Sequence, residues 1–253
     1  MSRAAPVDRE PELNLFDQML AGNTDEHILL ISATSGWGKS ELLREFTRRC
    51  SKKLRFATLD FKPGGIGLAE LLSCLCDSLN WANFPILIAA VNNIAQPVSV
   101  TVSNNLLIGQ NQIEVALSGS DEQTREARRA ALTTAFFSDL RALGQVLLIF
   151  DTFEKCDESV KAWLGGTFLH HVHHSPNLIV VVAGQKVPEE SIDWECQHIP
   201  LGGIAAEHWH QHANTLGVTI SMEFVQGLCF TCNGHPVKMA NYLASLSGQR
   251  RAV

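Results

Sequence analysis

The stretch ILLISATSGWGKSE, residues 28–41, constrains this chain more than any other. Residues 28–32 are mostly apolar, as a buried strand requires. Residues 33–38 form a loop of mainly small residues, and Lys39 and Ser40 open an amphipathic run through Leu42, Leu43 and Phe46. Strand, glycine-bearing loop and helix, in that order, are the setting of a phosphate-binding loop. Glycines let the backbone curl until its N–H groups point at one anion. The start of the helix adds its positive dipole end. In that arrangement Ser35, Gly36, Trp37, Gly38 and Glu41 border the ligand, Lys39 reaches the outer phosphates, and the Ser40 hydroxyl is a ligand of Mg2+. The usual pattern is G-x-x-x-x-G-K-[ST], and here Ala33 stands at the first glycine position. Its methyl narrows the approach to the phosphates. Trp37 has two readings: it covers a nucleotide, or it packs against the C-terminal helices.

A phosphate loop needs an acidic partner at the tip of a neighbouring buried strand. Asp151 meets that requirement, closing the run VLLIFD, and is expected to hold Mg2+ through water, beside Ser40. Glu154 is the nearest carboxylate that could orient an attacking water. Many such enzymes carry the acid directly after the aspartate, where this chain has Thr152. Glu154 reads equally well as a helix-start carboxylate, with Thr152 as a cap.

Around these two sites, strands are expected at residues 28–32, 55–61, 146–151 and 178–183, with a weaker one at 195–201. Helices are expected at residues 12–21, from Lys39 to near Lys53, and at 68–80, 121–143 and 158–171. Buried strands alternating with helices make a parallel α/β sheet. Residues 95–120 differ in character. Val98, Val100 and Val102 alternate with polar residues, as do Ile113, Val115 and Leu117, and Asn-Asn and Gly-Gln-Asn read as turns. This segment reads as a β-hairpin or small meander. It either extends the main sheet or forms a surface insert for a partner or for self-assembly. From Glu207 onward the chain reads as two or three helices with a break at residues 233–236.

These positions together resemble the bacterial STAND ATPases, the signal-transduction branch of the AAA-related P-loop proteins. The resemblance spans about residues 7–246. Val7-Asp8-Arg9-Glu10 followed by Leu13 is similar to the family's N-terminal element, which places Arg9 near the adenine. LLIFDTFEKC is similar to its DT(F/Y)E form of the second acidic motif. The family often ends the next strand with Gly-Arg, a sensor of the γ-phosphate, where this chain has Gly184-Gln185; glutamine carries no charge and stabilises developing charge less. Gly234, His235 and Pro236 resemble the GxP motif, which sits by the base and ribose and reports the nucleotide state to a helical lid.

The resemblance implies a P-loop NTPase fold of three α/β/α layers with a parallel sheet. It implies a core over 1–203, carrying the β-rich insert, and a small helical lid over 204–253. It implies ATP and Mg2+ as cofactors, with ATP and ADP exchanged at the site. The implied function is a slowly hydrolysing switch that controls a homo-oligomer or a separate effector protein. The alternatives are a nucleotide-binding module without turnover and a small-molecule kinase on the same loop. A kinase needs an arginine-bearing lid, and basic residues are sparse between Thr152 and Gln249. Family members commonly continue into a winged-helix region and a sensor or effector; with Val253 last, a compact form, a fragment and a subunit with a separate effector all stay open.

Composition limits the other classes. The net charge of −6 gives no signal for sequence-independent nucleic-acid binding. The basic group Arg44, Arg48, Arg49, Lys52, Lys53 and Arg55 reads as the solvated end of the loop's helix. Seven cysteines without framework spacing, no apolar leader and no run long enough to span a bilayer point to a reducing cytosol. His170 and His174 share a helix face but lack a third metal ligand. Cys229-x-x-Cys232 reads as core packing.

Overall fold

The computed structural model describes residues 9–50, 54–95 and 109–247. Five parallel strands form one sheet: β1 (Ile28–Ser32), β2 (Arg55–Asp60), β3 (Val146–Asp151), β4 (Leu178–Gly184) and β5 (Gln197–Pro200), in the order β2-β3-β4-β1-β5. The three inner strands are the near-continuous apolar runs, because helices cover both of their faces. The edge strands carry the polar residues. Five of their polar residues, Arg55, Thr58, Asp60, Gln197 and His198, are exposed, and Phe56 is 42% exposed.

Alternation along each strand divides the interior in two. Leu29, Ile31, Leu147, Ile149, Ile179 and Val181 face α1 (Glu10–Ala21) and α2 (Lys39–Arg49), whose Phe16 and Phe46 rings stack at 4.1 Å. Ile28, Leu30, Leu148, Phe150, Val180 and Val182 face the larger opposite layer. That layer holds α3 (Leu68–Leu79), α4 (Pro85–Ala95), α5 (Gln110–Leu117), α6 (Glu122–Arg141), α7 (Glu158–Trp163) and α8 (Leu169–His173). Each fully buried Phe or Leu there contributes about 1.5–3 kcal/mol relative to exposure.

Three expectations are corrected. Of the segment expected to be β, residues 96–108 lie outside the described residues, while Gln110–Leu117 is helix. Ile113 and Ala116, three apart, are fully buried and Val115 is 50% exposed, so the layer beneath imposes the helical period. The helix expected over 158–171 contains a π-helical turn at Leu164–Phe168, where Gly165 and Gly166 lower the resistance to unwinding. α2 ends at Arg49 rather than near Lys53, because Cys50 turns to an extended conformation; residues 51–53 lie outside the described residues.

The chain closes with α9 (Ala206–Thr215), α10 (Met222–Cys232) and α11 (Pro236–Leu246). They pack on one another through Ile204, Trp209, Ala213, Val218, Val225, Met239 and Leu243, a cluster separate from the two sheet layers. Asn233 takes a left-handed conformation to end α10, and Pro236 begins α11 where its missing N–H costs nothing. No helix among the described residues is long and apolar enough to cross a membrane. All seven cysteines are free thiols, and burial pushes those of Cys50, Cys156 and Cys196 up to about 11.

Candidate functional site

The loop between β1 and α2 turns through two left-handed glycines, Gly36 at φ 85° and Gly38 at φ 89°. Any side chain there is strained. A Cβ on Gly36 would also stand 2.6 Å from the His235 ring. Lys39 folds back across the loop, donating to the carbonyls of Ala33 at 2.5 Å and Thr34 at 3.1 Å. Burial pulls the Lys39 ammonium below its ordinary value, while the charges of Glu154 and Asp151 oppose that shift.

Ser40 donates its hydroxyl proton to Asp151 Oδ2 at 2.7 Å, across the end of β4. The two residues picked as metal ligands therefore converge although 111 positions separate them. A hydroxyl and a carboxylate are hard oxygen donors suited to Mg2+. Among the described residues no group of three or more His, Cys, Asp and Glu side chains could hold a metal by itself. The set thus fits a cation that takes its other ligands from phosphate and water, as Mg2+ does. Gly36, Gly38, Lys39, Ser40, Arg44, Asp151, Glu154, Gln185 and Val237 border one cavity of about 290 Å³, joined by Ser35, Glu41 and Thr152.

Glu154 lies in a short 3-10 turn after β3, and its Oε2 accepts from the Gln185 N–H at 2.8 Å. A Cβ on Gly184 would come within 2.7 Å of that oxygen, so the glycine admits the carboxylate over the end of β4. Sequence reasoning placed both residues but not this contact. Glu154 also borders a second cavity of about 660 Å³, with Lys161, Lys186, Val187 and Pro188 on its other walls.

Arg9 is 6% exposed. Its guanidinium pairs with Glu12 at 3.3 Å and donates to the carbonyls of Trp37 at 3.3 Å and Gly202 at 3.1 Å. It thereby ties α1, the loop and the approach to the last three helices together. Trp37 lies 5.3 Å from the His235 ring, ring centre to ring centre, which favours the packing reading of that tryptophan. The His235 Nδ1 atom is buried without a hydrogen-bond partner. Beside it, Ile204 N–H donates to the Gly234 carbonyl at 3.1 Å, and Gly203 and Gly234 meet so closely that a Cβ on either would clash with backbone. Pro236, the first residue of α11, follows directly. Of the histidine group, His170 is held by the Asp193 carbonyl at 3.1 Å and stacks edge-on with His174.

The family profile described as AAA ATPase domain matches residues 5–181, well over half of the sequence. The chain belongs to the AAA ATPase domain family. No curated protein matches this AAA ATPase domain. Among solved structures it is similar to a Walker-type ATPase of Pyrococcus abyssi, at 14% identity and TM-score 0.53, over 96% of this chain and 70% of that one. It is also similar to a Signal Transduction ATPase with Numerous Domains, bearing a tetratricopeptide-repeat sensor, from Pyrococcus horikoshii. That match has 13% identity and TM-score 0.58, and covers all of this chain but 31% of the other. A third is Cdc6p from Pyrobaculum aerophilum, at 13% identity and TM-score 0.50, over 98% and 66%. At such identities the likeness is one of fold: an α/β P-loop NTPase with a parallel sheet, of the kind shared by STAND and Cdc6 proteins. Membership of the family makes the domain a nucleotide-binding ATPase domain.

Proposed function

We propose that this AAA ATPase domain is a STAND-like switch. It binds ATP with Mg2+, hydrolyses it slowly, and uses the change to control its own oligomerisation or a separate effector. The observation that carries the reading is the contact of His235, at the start of α11, with Gly36 of the loop. Whatever moves the loop backbone must move that ring, or be resisted by it.

In this reading residues 1–203 form the core and residues 204–253 the lid. Ser35, Gly36, Gly38 and Lys39 cradle the phosphates, with Glu41 beside them. Ser40 and Asp151 hold Mg2+, which would neutralise phosphate charge. Glu154 orients the attacking water, and Gln185 senses the terminal phosphate. Arg9, His235 and Pro236 lie toward the base and ribose, with Trp37 packed beside the His235 ring.

A second reading, a nucleotide-binding module without turnover, draws on Glu154 Oε2 being engaged by the Gln185 N–H and on Ala33 narrowing the loop. Purified protein given ATP and Mg2+ separates the two. Slow release of phosphate that stops in Glu154→Gln while binding persists supports the switch. No phosphate release with intact binding supports the module, and transfer of label to a metabolite supports a kinase. Absence of measurable ATP and ADP affinity ends the proposal. A native-mass measurement with and without ATP tests the control of assembly.

A further inference from the structure

Thr152 is a backbone anomaly. It sits at φ 60° and ψ 39°, in the left-handed region, directly after Asp151. Among the described residues the other non-glycine residues with positive φ are Asn80 and Asn233. Asparagine tolerates that region through its short polar side chain, whereas a β-branched residue pays a steric penalty there. Such strain persists only where surrounding contacts over-determine it, and it concentrates at working sites.

The contacts that over-determine it are visible. The Thr152 hydroxyl donates to Asp60 Oδ1 at 2.8 Å. Asp60 closes β2 as Asp151 closes β3, and the two are paired in register. The Lys62 N–H donates to the same Asp60 oxygen at 2.9 Å. Phe61 N–H donates to the Asp151 carbonyl at 2.9 Å, locking the two strand ends together. The left-handed turn aims the Thr152 N–H at Asp151 Oδ1, 2.7 Å away. Ser40 holds the other oxygen, Oδ2. One carboxylate is therefore gripped on one side by strained backbone and on the other by the phosphate loop.

We infer that Thr152 and Asp60 are positioning residues for Asp151. Asp60 anchors the Thr152 side chain, the anchored residue keeps its strained turn, and the turn keeps the Asp151 carboxylate rotated toward Ser40 for a divalent cation. The inference rests on the proposed nucleotide and Mg2+ site and adds two residues to it. It also gives Thr152 a use at the position where a catalytic acid is otherwise expected.

The test is calorimetric binding of ADP in Mg2+ and in EDTA, together with the melting temperature of each variant. Thr152→Val keeps the branch and loses the hydroxyl; Asp60→Ala removes the anchor; Thr152→Ser keeps the bond. Groups that orient metal ligands cost about 10–100-fold in metal affinity when lost. Thr152→Val and Asp60→Ala are therefore expected to cut the Mg2+-dependent gain in ADP affinity about tenfold or more, to leave the EDTA affinity within about twofold, and Thr152→Ser to restore the gain. Thr152→Gly is expected to melt at a higher temperature, because strain is relieved, and yet to lose the Mg2+-dependent gain. A purely structural role predicts the reverse coupling. Unchanged Mg2+ dependence in Thr152→Val and Asp60→Ala, or equal losses in Mg2+ and EDTA, overturns the inference while the nucleotide site stands. A wild type that binds ADP in neither condition overturns both.

Discussion

The sheet and the three C-terminal helices hold themselves together in different ways. β3 and β4 bury their apolar side chains almost completely, between helices on both faces. α9 to α11 share a small cluster of seven buried residues, and five apolar side chains on α10 and α11, Phe224, Phe230, Val237, Tyr242 and Leu246, are 41–90% exposed. Among the described residues the attachments between the two regions include His235 and Val237 against Gly36, Trp37 beside the His235 ring, and Gly203 against Gly234, with Arg9 bonded to Gly202 on the approach to α9. The sheet region carries Lys39, Ser40 and Asp151, and α11 reaches the loop beside them through His235 and Val237, both close to Gly36. Regions with few buried contacts open at lower free energy than the global transition. We therefore expect α9–α11 to open before the sheet does.

The largest effects should come from breaking the two interiors separately. Phe150→Ala, in the buried sheet, is expected to cost about 3–5 kcal/mol and to lower the melting temperature of the whole domain. Met239→Ala removes a comparable amount of buried side chain from the C-terminal cluster, about 2–5 kcal/mol locally. Its signature should be faster hydrogen exchange confined to α9–α11, with β1, β3 and β4 still protected. Uniform exchange through both regions in Met239→Ala would show a single cooperative unit and dissolve the contrast.

Lys39→Ala tests the sheet region's chemistry. Hydrogen bonds to charged groups are worth about 1.5–3 kcal/mol, so nucleotide affinity should fall about 10–100-fold, with little change in melting temperature. Arg9→Ala tests the tether. It removes the bonds to Trp37 and Gly202 and leaves Glu12, 8% exposed, without its partner, at a cost of about 1–3 kcal/mol. Exchange should rise at the Gly202 link and in α9–α11 before it rises in the sheet.

Gly36→Ala should cost about 1–2 kcal/mol from its left-handed conformation alone, and more if His235 cannot withdraw. Pairing it with His235→Ala separates the two: recovery of nucleotide binding in the double variant means the ring is the obstacle.

The smallest effect is one of pH. Burial, and then the charges of Arg141, His170 and His174, hold His171 below its ordinary value of 6.5. The unfolded chain then binds more protons, so this contribution is present above pH 6.5 and fades as pH falls through the lowered value. Melting temperature should fall less steeply on acidification in His171→Phe than in wild type. Equal slopes in the two proteins would remove this contribution.

Much of the sheet region was legible in the sequence. Residues 28–32 form the expected strand, Lys39 begins the expected helix, and Asp151 closes β3. Each of those signals is local: an apolar run, a glycine pair, a carboxylate after five apolar residues. The AAA ATPase family match agrees with that reading. Residues 110–117 misled because Ile113, Val115 and Leu117 alternate as a strand does, while Ile113 and Ala116 satisfy a helix equally well. Only the layer beneath could choose between the two periods. Asp60 belongs to no motif, and its one sequence signal is that RFATLD ends in aspartate as VLLIFD does.

The sequence by itself determined the phosphate loop, the acidic strand tip and the alternation of buried strands with helices, because hydrophobic period and glycine placement act over a few residues. Tertiary structure decided the rest. It brought Ser40 to Asp151, laid Glu154 over Gly184, set His235 on Gly36, and bent Thr152 into a left-handed turn between two carboxylates. Those outcomes depend on strand order and register between segments far apart in sequence, 92 residues for Thr152 and Asp60 and 111 for Ser40 and Asp151, and short-range sequence pattern carries no record of which strand tips will meet.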